Sequence, residues 1–304
     1  MIQRWHILGA GAMGRLLACK LQQAGINTCL ITRTGPATRF NQTLDDLSEL
    51  RHIPLYRAGI ATLKKSEIGG LWVTTKANDA LGAVKGVAHL LSQDAPVILM
   101  HNGMGVLEQL ADHAPALRPF SAITTEGAYL EKAEPGAEPR LVHAGRGRTR
   151  VGRGHDAPPI WFAPFSDSSI GMSWETDIDQ ALWEKLLINA AINPLTALNH
   201  CPNGALATDP ALWDQVIGLC GELAAVSSAR GYAYDANDLV AKTREVIVVT
   251  AANQSSMLRD VLEGRPTELE SITGFLLREA QRLQVPCPRN TALYRRLDGL
   301  HLSH

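Results

Sequence analysis

The chain has 304 residues, 45% of them hydrophobic, 19% charged and 5% aromatic, with a formal charge of −1 at pH 7. At roughly 150 residues per domain that length suggests about two domains, and either half can build its own core. The balance excludes disorder, collagen and coiled coil for the whole chain, and the near-zero charge excludes a nucleic-acid binder built on phosphate neutralisation.

The charge is unevenly spread. Residues 1–170 carry 18 Lys and Arg against 14 Asp and Glu, whereas residues 171–304 carry 11 against 16. This is either a chance asymmetry or a sign that the first half holds an anionic ligand. Cys19, Cys29, Cys201, Cys220 and Cys287 are widely spaced and form no C-x-x-C pair, so neither a disulfide framework nor a metal site is expected. No run of about 18 apolar residues occurs, and Met1 leads almost directly into a strand-like stretch. The expectation is therefore a cytoplasmic protein with no membrane partner and no secretory segment.

In chain order, Trp5-His6-Ile7-Leu8 reads as a first strand that stops at glycine. Residues 12–24 have helical apolar spacing and end at Gly25, a helix stop signal. Strand-like runs follow at 28–32, 71–75, 96–100 and 121–125, with a helical stretch from about Asn78 to Leu91. Strands alternating with helices, each strand apolar on consecutive residues, predict a parallel sheet covered by helices on both faces. Residues 129–170 change character, and the short pieces at 141–143 and 149–151 read as antiparallel edge strands. From about Asp177 helical patterns cover 178–199, 210–230, 236–263, 267–284 and 289–300. The expected fold is an α/β N-terminal domain of Rossmann type, residues 1–170, followed by an all-α C-terminal domain, residues 171–304, with the boundary near 165–175.

Gly9-Ala10-Gly11-Ala12-Met13-Gly14 has the form G-x-G-x-x-G. It follows a predicted strand and opens a predicted helix, the context a dinucleotide-binding loop requires. The first glycine makes the tight turn, the second lets backbone approach a pyrophosphate, and the third lets helix and strand pack closely. After the second strand, where NAD sites carry a carboxylate, the chain has Arg33. A guanidinium can pair with a 2′-phosphate that a carboxylate would repel, so NADPH/NADP is the expected cofactor, unless Arg33 is a solvated loop residue. Lys76 ends the run Val73-Thr74-Thr75-Lys76, where a lysine either reaches a cofactor phosphate or the catalytic crevice, or lies on the surface. His101-Asn102-Gly103-Met104-Gly105 holds the equivalent place after the next strand, with glycines that permit close backbone approach and an asparagine that can donate and accept.

Lys185, Asn189 and Asn193 recur at i, i+4, i+8 on a helix that is otherwise apolar almost all round, which predicts a buried helix with one polar stripe. A buried lysine is costly unless paired or functional, and burial lowers its pKa; the alternative is snorkelling to water. Pro194 predicts that the helix kinks or ends there. Asn253 and Ser256 repeat the polar pattern at i, i+3 on the predicted helix that stops at Gly264. Thr267-Glu268-Leu269-Glu270 then reads as a capping box, with Thr267 at the N-cap, Glu268 at the first helical position and Glu270 reaching back. Glu268 is either a plain helix-start carboxylate or a functional one.

Taken together, the glycine loop, Lys76, the 101–105 segment, the 185–196 helix (KLLINAAINPLT), Asn199-His200-Cys201-Pro202-Asn203-Gly204, Ser255-Ser256-Met257-Leu258 and Arg265-Pro266-Thr267-Glu268 resemble the ketopantoate reductase (2-dehydropantoate 2-reductase) family. Residues 36–70 and 129–176 carry little of the likeness. The resemblance implies NADPH-dependent reduction of a small keto acid, 2-dehydropantoate, to pantoate on the route to pantothenate and coenzyme A, in a monomer or homodimer. It implies an active site in the cleft between the two domains. By the same resemblance Lys185 is the general acid, and Glu268 binds the substrate hydroxyl. Asn102, Asn189, Asn193, Asn253 and Ser256 hold substrate, while Gly9 to Gly14, Arg33 and Lys76 meet the cofactor, as Asn102 and Glu268 also do. Two alternatives remain at this stage. One is a reductase of another branched 2-keto acid, and the other is a non-catalytic NADPH-sensing protein, which would have no need of Lys185 or Glu268.

Overall fold

The computed structural model describes residues 2–47, 49–134, 136–166 and 170–301. The chain divides into two compact units: Met1–His101 with Val106–Asp179, and Asn102–Gly105 with Gln180–His304.

The first unit is α/β. It runs β1 (Trp5–Leu8), α1 (Ala12–Gln23), β2 (Thr28–Thr32), β3 (Thr38–Asp46), β4 (Glu49–Gly59), β5 (Leu71–Val73), α2 (Ala77–Val87), β6 (Val97–Leu99), α3 (Val106–His113), β7 (Phe120–Thr124), β8 (Gly127–Leu130), β9 (Leu141–Gly145), β10 (Thr149–Gly152) and β11 (Met172–Trp174). These form one sheet in the order β11-β10-β7-β6-β5-β1-β2-β4-β3-β9-β8. The six strands β4-β2-β1-β5-β6-β7 are parallel throughout. Numbered among themselves they stand in the doubly wound order 3-2-1-4-5-6, whose direction of winding reverses between β1 and β5. Side chains alternate between the faces, so Trp5, Ile7 and Trp72 pack with α1, while Leu8, Leu71 and Val73 pack with α2 and α3.

Three features depart from the expected elements. Residues 38–46 and 49–59 form a long antiparallel pair, β3 with β4, in a stretch where no strand was expected. Its buried positions alternate with polar ones, and Leu47 at φ +55° stands at the turn where glycine or asparagine would mark it. Helix α3 is only eight residues long and has just two buried positions, too few for a visible apolar period. The pieces at 141–145 and 149–152 are strands and do make antiparallel pairs, with β8 and β7. Neither is an edge, because β9 also pairs parallel with β3, and β10 parallel with β11.

Strand β8 ends the sheet on one side and β7 lies third from the other, yet only Thr125 and Glu126 separate them in sequence. The sheet must therefore curl back over α1, which touches β2, β4, β8 and β9. A buried charge cluster closes that curl. Glu126 accepts from Lys20 of α1 and bonds His143 Nε2 at 2.6 Å, and His143 Nδ1 bonds Asp46 at 2.9 Å. Burial pushes the Glu126 carboxyl up, but the hydrogen bonds and charges of His143 and Lys20 outweigh it and hold it below its usual range. The bond from Glu126 is the largest influence on His143 and, with Asp46, holds its pKa up against burial.

The second unit is helical: α4 (Ile178–Asn199, from Gln180 onward), α5 (Ala205–Thr208), α6 (Pro210–Ala229), α7 (Ala236–Val249), α8 (Ser256–Leu262), α9 (Phe275–Arg282) and α10 (Pro288–His301). Its core is built around Trp183, Leu187, Leu223 and Leu276, each fully buried. Pro194 does not end α4, which continues to Asn199. Leu195 and Ala197 are buried beyond it, and that packing outweighs the local proline penalty. The single helix expected over 236–263 is two, with a break at residues 250–255. Asn203 explains the break: its backbone N–H bonds the Asn253 carbonyl at 3.0 Å, and its side chain bonds the Thr250 hydroxyl at 2.9 Å. No helix among the described residues is long and apolar enough to cross a membrane.

Candidate active site

The glycine loop joins β1 to α1 at the reversal point of the parallel sheet. Gly9 has φ +115°, and a Cβ there would sit 2.8 Å from the Thr75 nitrogen. A Cβ on Gly14 would overlap the Gly9 carbonyl oxygen and the Thr74 hydroxyl. Both positions thus exclude any side chain. Gly11, at the N-cap of α1, has nothing within 4 Å of its Cβ position, so the space over the helix start stays open. The first turn of α1, Ala12 to Gly14, offers backbone N–H groups to that space, and no acidic residue lies in the turn. A Rossmann pyrophosphate site needs this combination, so the residues fit a dinucleotide. Two supports carry no sequence signal. The Thr74 hydroxyl donates to the Gly9 carbonyl at 2.8 Å, and Arg15, nearly buried, donates from Nε to the Ala10 carbonyl at 2.9 Å.

Arg33 lies just past β2, is exposed, and makes no ion pair among the described residues. Its loop is seated on Gly59, where a Cβ would overlap the Gly35 carbonyl. Lys76 is the half-buried N-cap of α2, after β5 and next to Thr75, against which Gly9 packs.

In the second unit the α4 stripe runs inward. Lys185 and Asn189 are half-buried, and Asn193 is 8% exposed. The lysine therefore stands at the accessible end of the stripe and not in the core, as the apolar composition of the helix had suggested. Asn102 belongs to this unit, although it directly follows the first unit's His101. Its side-chain amide donates to Glu268 Oε2 at 3.0 Å, and Glu268 is buried. Backbone makes this meeting possible. The Met104 N–H bonds the Ser271 carbonyl at 2.9 Å, and Gly103, at φ +82°, leaves no room for a Cβ against the same residue.

Residues 270–274 form a π-helical turn that leads into α9, a form often found at functional sites. The capping box expected here forms only in part. The Thr267 hydroxyl accepts from the Leu269 N–H at 3.3 Å, but Glu270 does not reach back. Its carboxylate accepts from the Tyr294 hydroxyl at 2.7 Å and from Arg278, and lies over Gly274.

Asn253 and Ser256 do not share a helix face. Asn253 lies in the break before α8, Ser256 is the first residue of α8, and both are exposed. A buried hydroxyl chain ties this corner to α4. The Thr196 hydroxyl donates to the Asn193 carbonyl at 2.9 Å. It must then accept from Ser255 Oγ at 2.7 Å, and Ser255 Oγ accepts from the Leu258 N–H at 3.1 Å. Ser255 is thus the N-cap that sets where Ser256 begins.

The unit therefore carries one half-buried lysine, one buried carboxyl bonded to an amide, and further amides. Such groups can orient a polar substrate and deliver a proton. The cysteines stand apart from this chemistry. All five are free thiols, and burial pushes Cys19 and Cys29 up to about 12.

Two family profiles match the chain: ketopantoate reductase PanE/ApbA over residues 5–156, and ketopantoate reductase PanE/ApbA C terminal over residues 177–301. The 2-dehydropantoate 2-reductase of Vibrio cholerae is 33% identical over 300 residues, covering 98% of this chain and 97% of its own. Among solved structures, the probable 2-dehydropantoate 2-reductase of Bacillus subtilis is 25% identical, with a TM-score of 0.77 and coverage of 98% and 99%. D-mandelate dehydrogenase in ternary complex with NADH and anilino(oxo)acetate is 19% identical with a TM-score of 0.86, covers 99% of this chain and 98% of its own, and shares the fold. With both halves matched by its profiles and a relative this similar along nearly its whole length, the chain belongs to the ketopantoate reductase family, a family of oxidoreductases.

Proposed function

We propose that this protein catalyses the NADPH-dependent reduction of 2-dehydropantoate to (R)-pantoate, in the cytoplasmic supply of pantothenate and coenzyme A. The observation that carries the reading is the Asn102–Glu268 pair, a part-buried amide–carboxyl contact in the same unit as Lys185, Asn189 and Asn193. A protein that only sensed NADPH would gain nothing from that pair or from the lysine.

Gly9, Ala10, Gly11, Ala12, Met13 and Gly14 cradle the pyrophosphate, and Arg33 and Lys76 meet the remaining phosphate charge. NADPH, when bound, supplies a hydride. Lys185 stabilises the negative charge that builds on the ketone oxygen and gives that oxygen a proton. Glu268, oriented by Asn102, accepts from the substrate hydroxyl. Asn189, Asn193, Asn253 and Ser256 hold the rest of the substrate by neutral hydrogen bonds, without a metal.

The test is NADPH consumption, followed by absorbance, on a panel of 2-dehydropantoate, 2-dehydropantolactone and simple branched 2-keto acids. Preference for 2-dehydropantoate is the expected result. Faster turnover of another keto acid would reassign the substrate, and NADPH binding without turnover of any would point to a sensor.

A further inference from the structure

A cavity lies within the helical unit. Its volume is about 190 Å³, below the roughly 300–1,000 Å³ of sites for drug-sized ligands. Leu195 of α4, Leu219 of α6 and Leu293 of α10 line it, all almost fully buried, together with Gln215, Arg289 and Arg296. Leu195 follows Asn193 by two residues, which places it about 200° around α4 from that asparagine. The cavity therefore opens on the side of α4 away from the Lys185–Asn193 stripe.

The charges at its mouth are positive and weakly compensated. Arg296 makes no ion pair among the described residues, and Arg289 comes only within 4.0 Å of Asp214, itself an exposed residue. Arg289 is an exposed residue that lies along α6. Its guanidinium lies over Gly218 in the middle of α6, where a Cβ would overlap it. Glu222 fixes the start of α10, accepting from the backbone N–H groups of Arg289 and Asn290 at 2.8 and 2.9 Å. Two guanidiniums one heptad apart on one helix thus stand over a leucine floor, with an amide beside them.

We propose that this cavity binds a small branched aliphatic carboxylate, its carboxylate taken by Arg289 and Arg296 and its alkyl body by the three leucines. The site is separate from the proposed catalytic residues, and the proposal does not depend on their roles.

The experiment uses the full chain with leucine methyls labelled for NMR, titrated with 3-methylbutanoate and with 3-methylbutanamide as the neutral control. The expected result is saturable shifts at Leu195, Leu219 and Leu293, with a Kd of about 1 mM as suits so small a ligand. Arg289→Gln and Arg296→Gln should each weaken binding about tenfold, and the amide should give no saturable shift. Both variants leave the Glu222 bonds to backbone intact, and unchanged shifts at the other leucines verify the fold. Equal binding by either variant, equal binding by the amide, or shifts confined to methyls near the Lys185 stripe would overturn the proposal.

Discussion

The two units fix their candidate residues by different physical means. The first relies on backbone sterics: Gly9 and Gly14 are the only residue type that fits, and open space is kept over Gly11. The second relies on side-chain hydrogen bonds, as in Asn102 with Glu268 and the Ser255 and Thr196 hydroxyls tied to the Asn193 backbone carbonyl. Steric placement is all-or-none, because an added carbon has nowhere to go. Hydrogen-bonded placement is graded, because each bond contributes about 1 kcal/mol net and can be loosened one at a time. The contrast suits the tasks proposed for them: one holds the invariant part of a cofactor, and the other holds a substrate that must enter and leave.

The largest effect is expected in the second unit. Lys185→Ala should lower kcat by about 10² to 10⁴-fold while leaving NADPH affinity unchanged, measured by steady-state kinetics and cofactor titration. Near-normal turnover would remove Lys185 from the chemistry and leave its unit a binding scaffold. The all-or-none character of the first unit is tested by two alanines. Gly14→Ala should cost about 1–3 kcal/mol and abolish NADPH binding, whereas Gly11→Ala should keep the thermal midpoint and lower only the affinity. Similar behaviour of the two variants in thermal melts and titrations would break the comparison.

Arg33→Ala should reduce the preference for NADPH over NADH by about tenfold, the low end for an exposed charged hydrogen bond. A wild type that prefers NADH would exclude the 2′-phosphate role outright. The smallest effect concerns the cluster closing the curled sheet. His143 has a raised pKa, so its contribution is complete below the ordinary value of 6.5 and is lost as pH rises through the raised one. Glu126 has a lowered pKa, so its contribution is present above the ordinary 4.5 and is lost as pH falls through the lowered one. The first unit should therefore be most stable between about pH 4.5 and 6.5. Thermal melts at pH 6 and pH 8 should differ by about 1 kcal/mol more in wild type than in His143→Gln. Equal differences would show that the cluster titrates without consequence for the fold.

Much of the first unit was legible because its signals are local. The glycine spacing and the apolar runs at Trp5–Leu8 and Leu71–Val73 each speak for themselves within a few residues. The β3–β4 hairpin was not legible, since polar Gln42 takes a buried position, Pro54 lies within β4, and Leu47 stands where glycine or asparagine would mark the turn. In the second unit the helices were legible and the site was only partly so. The break that separates Asn253 from Ser256 depends on Asn203, about fifty residues away, and the Asn102–Glu268 contact spans 166 residues.

By itself, the sequence determined the α/β-then-helical order, the glycine loop with its tight turn at Gly9 and close packing at Gly14, and the polar stripe on α4. These follow from periodicity and from the steric limits of single residues, which act over one or two turns of chain. Only the tertiary structure decided that residues 102–105 fold with the helical unit, that Lys185 is half-buried, and that Glu270 turns to Tyr294 instead of back to Thr267. Each of those outcomes is a competition among distant partners for one polar group. Which partner wins depends on where packing of the core leaves them, and no local pattern records that.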